Sequence, residues 1–181
     1  MLYPRLASLL AAFALAASAL AQTPATTPPA APTPSAEPSL TWHDVTTWGT
    51  EGRAFGDMER KRWFDRFPAS AEGKVTAAVW NLSRDSAGMM VRFKTDATAI
   101  SADITVLKEK LNGVNMTPIG ASGLDLYARD PNGQWRWAGV SRPDKKTMKQ
   151  QIVGELAPGL REYALYLPLY NGVESLSVGV P

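Results

Sequence analysis

Short runs of alternating polarity recur along residues 40–181, and this pattern restricts the fold more than any other feature of the sequence. Segments 89–94, 100–106, 124–129, 161–167 and 174–180 each carry apolar side chains at every second position. Adjacent side chains of an extended chain point to opposite faces, so each run presents one apolar face and one polar face. No comparable helical periodicity extends over several turns. The pattern predicts an antiparallel β-sheet protein.

Turn residues between these runs complete the predicted fold. Thr95-Asp96-Ala97 is expected to join segments 89–94 and 100–106 as one hairpin, and "DPNG" at 130–133 to join "GLDLYAR" to "QWRWAGV" as a second. We predict that the apolar run 75–82 is a further strand. The sequence therefore favours an all-β antiparallel sandwich or jelly roll with few or no helices, and the best helix candidate is the short segment 58–64.

The first 38 residues differ in composition from the remainder. Residues 1–21 combine Arg5, an apolar alanine-rich run and the small-x-small sequence Ala19-Leu20-Ala21, which is typical of a cleaved signal peptide. Residues 22–38 are rich in proline, alanine and threonine and predict an extended linker. We expect cleavage after Ala21, a secreted or periplasmic protein that does not remain in the membrane, and one β-sandwich domain over residues 39–181.

Composition excludes several kinds of chemistry. Cysteine is absent and His43 is the only histidine, so thiol chemistry and multi-histidine metal sites are ruled out, and we predict no cofactor and no metal. The net charge is +2 with scattered basic residues, which argues against nucleic acid. His43 and Asp44 are adjacent and would point to opposite faces of a strand. No serine lies in a nucleophile motif, so we predict no catalytic residue.

The remaining candidates are acidic and aromatic. Exposed charges are the favoured interpretation of the acids Glu51, Asp57 and Glu59, over a carboxylate pair or calcium ligands. Trp135 and Trp137 are two residues apart and share a face of a strand. That spacing fits two interpretations, a core pair or a platform on which sugar rings stack, and both remain open from the sequence.

Several segments resemble a known family. "GLDLYARD" (123–130), "WRWAG" (135–139) and "YALYLPLYNGVESLSVGV" (163–180) are similar to the N-terminal domain of SGNH-type, or GDSL-like, esterases, which carries a G-x-D-L-Y motif. Two earlier segments, 42–55 and 63–75, fit the same pattern in the same order. The resemblance implies a β-sandwich that precedes a separate α/β hydrolase domain. The Gly-Asp-Ser and Asp-x-x-His motifs of that hydrolase domain do not occur in this sequence, and we expect the chain to be a fragment or excised domain.

The resemblance also implies roles for individual residues. Gly123, Asp125, Leu126 and Tyr127 match the motif, and Gly123 is expected to adopt a backbone conformation that other residues avoid. Asp125 would accept hydrogen bonds from Arg136 or a neighbouring loop. The expected ligand or interdomain contacts are Asp125, Tyr127, Trp135, Trp137, Leu169, Tyr170 and Asn171.

Within that set, Leu169 and Tyr170 are expected at the tip of a loop, with Asn171-Gly172 forming a tight turn beside them. The partner implied is an SGNH catalytic domain on the same polypeptide, acting on acylated carbohydrates or similar esters. The alternative function is a stand-alone carbohydrate-binding module of the cell envelope.

Overall fold

Two four-stranded antiparallel sheets form the protein. The computed structural model describes residues 39–181, so the predicted signal peptide and linker lie outside the described residues. The first sheet has the strand order β1-β8-β3-β6 and the second the order β2-β7-β4-β5. The strands are β1 (Thr41–Asp44), β2 (Met90–Thr95), β3 (Ile100–Val106), β4 (Asp125–Arg129), β5 (Trp135–Val140), β6 (Thr147–Val153), β7 (Arg161–Tyr166) and β8 (Val173–Val180). The predicted all-β antiparallel fold is confirmed.

This strand order is that of a jelly roll, in which consecutive strands mostly belong to different sheets. Among the strands of residues 39–181, only β4 and β5 form a hairpin, and it is the one predicted from "DPNG". Its turn is held by Asp130, whose carboxylate accepts from the backbone N–H groups of Asn132 and Gln134 and pairs with Arg136. The hairpin predicted at Thr95-Asp96-Ala97 is wrong. β2 pairs with β7 and β3 pairs with β6 and β8, so this short connection crosses from one sheet to the other.

The apolar positions of the alternating segments meet between the two sheets. Ile100, Ala102, Ile104 and Val106 of β3 are all fully buried, as the period-two pattern predicts. The second sheet contributes Val91, Leu126, Tyr163 and Leu165, and Met89 directly before β2 adds its side chain to them. Burial of these faces supplies the main stabilising free energy of the fold, at about 25 cal/mol per Å² of apolar surface.

Residues 75–82 do not form the predicted strand. They contain the short helix α1 (Ala77–Leu82), and the Thr76 side chain accepts a hydrogen bond from the Val79 N–H at its N-terminus. A threonine cap followed by two alanines favours a helical turn. The apolar composition of this run suggests a buried strand, but the run lacks the alternation of a half-buried strand. Trp80 is the only buried residue of the helix.

The helix predicted at 58–64 is also wrong, since this segment is irregular. The Arg60 guanidinium donates to the carbonyl oxygens of Ala54, Gly56 and Met58, so a side chain satisfies backbone groups here. A second short helix, α2 (Pro118–Ser122), was not predicted and begins with proline at its first turn. No helix within residues 39–181 is long and apolar enough to cross a membrane.

The sequence pattern does not predict two edge strands, β1 and β6. β6 reads "TMKQQIV", in which lysine and glutamine depress strand propensity, and only Met148 and Ile152 are buried. β1 is four residues long and pairs only with β8. Both strands lie at the edges of the first sheet, where short or charged strands reduce unwanted pairing with other chains.

The Tyr163 hydroxyl provides a test of the core. Tyr163 is fully buried and stacks on Phe93 with ring centroids 5.5 Å apart, but its hydroxyl has no hydrogen-bond partner within residues 39–181. Tyr163→Phe keeps the ring and removes an unpaired polar group. We expect the free energy of unfolding in urea to stay unchanged or rise by about 1 kcal/mol.

Tyr163→Ala serves as the control and should lower the unfolding free energy by about 3–5 kcal/mol, because the ring itself is lost. A loss of more than about 1 kcal/mol in Tyr163→Phe would contradict the absence of a partner.

Candidate functional site

The outer face of the second sheet carries a group of aromatic side chains, which we call the aromatic face: Tyr127 on β4, Trp135 and Trp137 on β5, and Tyr166 on β7. Trp137 is 60% exposed, Trp135 37% and Tyr166 40%. Tyr127 and Tyr166 meet edge to face with ring centroids 5.6 Å apart. The Trp pair therefore does not belong to the core. Of the two interpretations that the sequence left open, only an exposed pair agrees with the structure.

A groove of about 410 Å³ lies between this aromatic face, α2 and the loop that follows β7. It contains four of the seven residues singled out from the sequence: Asp125, Tyr127, Trp135 and Leu169. Tyr166 and Ile119, which were not singled out, complete its walls. Tyr166 could have been found by alternation, because its neighbours Leu165 and Leu167 are both core residues. The position of Ile119 on α2 had no signal in the sequence.

A network of charges borders the aromatic face. Glu162 accepts from Arg129 at 3.0 Å and from Arg92 at 3.3 Å, and Arg92 also pairs with Glu51 at 2.8 Å. The guanidinium carbons of Arg92 and Arg129 lie 5.3 and 5.9 Å from the centroid of the Trp135 ring. The hydrogen bond from Arg129, with that from Arg92, lowers the pKa of Glu162, although partial burial opposes the shift. The network holds Trp135 at one edge of the groove.

Leu169 and Tyr170 project from the loop between β7 and β8, 48% and 56% exposed, as the sequence predicts. The Tyr170 N–H donates to the carbonyl oxygen of Ala121, which ties this loop to α2. Ile119 on the same helix is 40% exposed. We call Ile119, Leu169 and Tyr170 the apolar tip.

Asn171 lies beneath the apolar tip and is completely buried. Its side chain accepts from the Lys108 N–H at 2.8 Å and donates to the Lys108 carbonyl and the Ser122 hydroxyl. Its own carbonyl accepts from the Ser86 N–H. Asn171 therefore cannot contact a ligand directly, and the expected tight turn at Asn171-Gly172 is replaced by a buried junction of several loops. Gly172 is required there because a Cβ would lie 2.3 Å from the Arg84 carbonyl oxygen.

Two expectations for the G-x-D-L-Y motif are corrected by the structure. Asp125 does not pair with Arg136, which binds Asp130; instead its Oδ1 accepts from the Trp137 indole N–H at 3.2 Å. Gly123 has an ordinary backbone conformation, with φ −80°. Its lack of a side chain matters for space, since a Cβ would lie 2.3 Å from the Ile119 carbonyl oxygen and 3.2 Å from that of Ser141.

The other candidates are not brought together. His43 lies on β1 beside Trp48, and none of the side-chain hydrogen bonds within residues 39–181 involves it. The hydroxyls of Ser83 and Ser122 donate to backbone carbonyls, which are structural roles. Glu51 pairs with Arg92, and no three acidic or histidine side chains cluster in the described part of the chain.

The close packing at Gly123 leads to a prediction. Gly123→Ala should lower the free energy of unfolding by about 1–3 kcal/mol, because the new methyl group meets backbone atoms that cannot move aside. Gly113→Ala is the control, since its nearest neighbour would be the Met116 Cβ at 3.4 Å. Equal stability of the two variants in urea unfolding would contradict this account.

The charge network leads to a prediction about pH. A carboxylate whose pKa is lowered in the folded state stabilises that state above its unfolded pKa, and this contribution disappears as the pH falls through the folded value. Glu162→Gln should therefore reduce the urea midpoint at pH 7, and the difference from wild type should shrink on acidification. Parallel stability profiles for the two proteins from pH 7 downward would contradict the role of Glu162.

The fold and its motif have matches among known proteins. A family model described as GxDLY, the N-terminus of Esterase_SGNH_hydro-type, matches residues 40–181. No curated protein sequence matches the chain. The chain is similar to a crystal structure described as a GDSL-like lipase from Bacteroides ovatus, with 29% sequence identity and a TM-score of 0.72. That match covers 79% of this chain, which spans 41% of the length of the Bacteroides protein.

The family match includes every strand of both sheets and all of the residues that form the groove and the apolar tip. The motif Gly123-x-Asp125-Leu126-Tyr127 runs from the end of α2 into β4 and borders the groove. The chain therefore belongs to the GxDLY family, the N-terminal domain of SGNH-type esterases.

Proposed function

We propose that this domain is the non-catalytic companion of a secreted SGNH-type ester hydrolase, and that it docks on the catalytic domain through the apolar tip. The proposal extends to the substrate, which we expect to be an acylated carbohydrate or a similar ester. Family membership supports the link to a hydrolase. The secreted location depends on the sequence of residues 1–21 alone.

One observation carries the docking role, which is the exposure of three large apolar side chains on a rigid support. Ile119, Leu169 and Tyr170 face solvent together, whereas Asn171 beneath them is fixed by buried hydrogen bonds. Exposed contiguous apolar surface is typical of an interaction site. A loop whose backbone is already ordered loses less entropy on binding, so large apolar side chains on it are suited to anchor an interface.

The groove beside the tip fits the same role. A domain that docks through Leu169 would place the groove, which Leu169 also lines, next to the surface of its partner. The companion domain would then form one wall of the substrate cleft. Catalysis itself would remain with the partner. The buried serines that form hydrogen bonds in residues 39–181 bind backbone groups or, for Ser122, also the Asn171 amide, and none of them pairs with a histidine.

A second function is supported by the exposure of Trp135 and Trp137, which agrees with a stand-alone carbohydrate-binding module. That function needs no catalytic partner. It therefore differs from the first proposal in what happens when an SGNH catalytic domain is added.

Docking can be tested in solution with an SGNH catalytic domain from the same organism, purified separately. We expect a complex in isothermal titration calorimetry, and we expect the double variant Leu169→Ser, Tyr170→Ser to weaken it at least tenfold. Loss of anchor side chains at an interface has effects of about 2 kcal/mol or more, so the change should be measurable.

Leu160→Ser is the matched control for this experiment. Leu160 is 70% exposed and precedes β7, whereas the apolar tip follows the opposite end of that strand. It should leave the affinity unchanged. Absence of a complex, or equal weakening by both variants, would overturn the docking proposal.

A further inference from the structure

The groove on the aromatic face has the dimensions and lining of a small-molecule site. Its volume of about 410 Å³ lies within the usual range of ligand pockets, which are mostly apolar with a few polar groups that fix orientation. Here the aromatic part of the lining consists of Tyr127, Trp135 and Tyr166, and the charged group is Asp125. The aliphatic side chains of Ile119, Leu167 and Leu169 complete the apolar lining. Aromatic rings together with one carboxylate restrict the ligands that the groove can bind.

The aromatic rings favour a ligand that is flat and carries C–H groups. Tyr127 and Tyr166 meet edge to face, so the groove offers both a ring edge and ring faces. Trp135 is held beside them by the Arg92–Glu162–Arg129 network, which limits its freedom before binding. The C–H face of a pyranose ring packs on such surfaces through dispersion and weak C–H contacts.

The carboxylate of Asp125 adds a hydrogen-bond acceptor to the groove. Its Oδ1 accepts from the Trp137 indole, whereas Oδ2 accepts no hydrogen bond within residues 39–181. Oδ2 can therefore accept from a hydrogen-bond donor on a ligand in the groove. Hydroxyl groups are such donors, and hydrogen bonds to a charged acceptor are about twice as strong as neutral ones.

The charges around the groove disfavour ionic ligands of either sign. A carboxylate-bearing sugar would meet the negative charge of Asp125. An ammonium ligand would have to compete for the Trp135 ring with the guanidinium groups of Arg92 and Arg129, which already lie 5.3 and 5.9 Å from its centroid. A neutral ligand rich in hydroxyl groups avoids both conflicts.

We propose that this groove binds one neutral pyranose ring, with Asp125 accepting from its hydroxyls and Tyr127, Tyr166 and Trp135 packing on its C–H groups. The inference rests on the proposed function in one respect, since we identify the ring with the sugar part of the acylated substrate. The site itself requires only this domain. In this proposal the domain recognises the sugar part of the substrate, whereas the partner acts on the ester bond.

The test uses the full chain titrated with four probes, and binding is followed by tryptophan fluorescence and saturation-transfer NMR. The neutral probes are xylohexaose and cellohexaose, the anionic probe is a galacturonate hexamer, and the cationic probe is choline. We expect binding of at least one neutral probe, and at least tenfold weaker binding of the two charged probes. Equal or stronger binding of either charged probe would overturn the proposal.

Variants then locate the site. Tyr127→Ala and Tyr166→Ala should weaken neutral-probe binding at least tenfold, and Asp125→Asn should weaken it severalfold while preserving the shape of the side chain. Trp48→Phe is the control, because Trp48 is 38% exposed and lies beside His43, outside the groove lining. Binding lost in Trp48→Phe but retained in the tyrosine variants would place the sugar elsewhere on the domain and overturn the assignment to the groove.

The outcome is separable from docking, because the same variants can be titrated with the catalytic domain. Docking that survives while no neutral sugar binds would overturn this inference and leave the proposed function intact. Sugar binding without docking would support the groove assignment and overturn the proposed docking on a catalytic partner. That outcome would favour the stand-alone carbohydrate-binding function.

Discussion

Burial of two apolar sheet faces against each other is the constraint on which the rest of this domain depends. Within residues 39–181, consecutive strands cross from one sheet to the other at every connection except the β4–β5 hairpin. Neither sheet can therefore form from a continuous part of the chain, and each strand is positioned by contacts distant in sequence. The loops that make these crossings collect at the ends of the sandwich, which is where α2 and the segment 167–172 meet.

At one of these ends, buried hydrogen bonds of Asn171 connect the interior to an exposed loop. Its side chain joins Lys108 and Ser122, and its carbonyl joins Ser86, so three separate segments converge on one buried amide. A buried polar group of this kind is stable only when its hydrogen bonds are satisfied, and it then specifies one arrangement. Leu169 and Tyr170 are exposed directly above this junction. Their position is therefore set by the interior, and an interface built on them begins from an ordered state.

The sequence predicts the alternating strands well because the apolar positions of β3, at Ile100, Ala102, Ile104 and Val106, are all buried, so polarity indicates which face is internal. It fails where the outcome depends on a partner elsewhere in the chain. Thr95-Asp96-Ala97 is as short as a hairpin turn, yet β2 and β3 pair with strands far along the sequence. The same holds for the site, in which alternation places Asp125, Tyr127 and Tyr166 on the outer face but contains no information that Ile119 of α2 will border the same groove.

The outer face of the second sheet carries both ion-paired side chains and aromatic rings. This combination suits recognition of a neutral ligand. The positive charges of Arg92 and Arg129 are largely balanced by Glu51 and Glu162, so the network positions Trp135 without creating a strong local field. Asp125 remains as an acceptor whose orientation is fixed by the Trp137 indole. Selectivity at such a face arises from shape and from hydrogen-bond donors on the ligand. The chemistry of an ester bond does not by itself distinguish one sugar from another. A hydrolase domain that supplies only the reacting groups would gain that discrimination from this face.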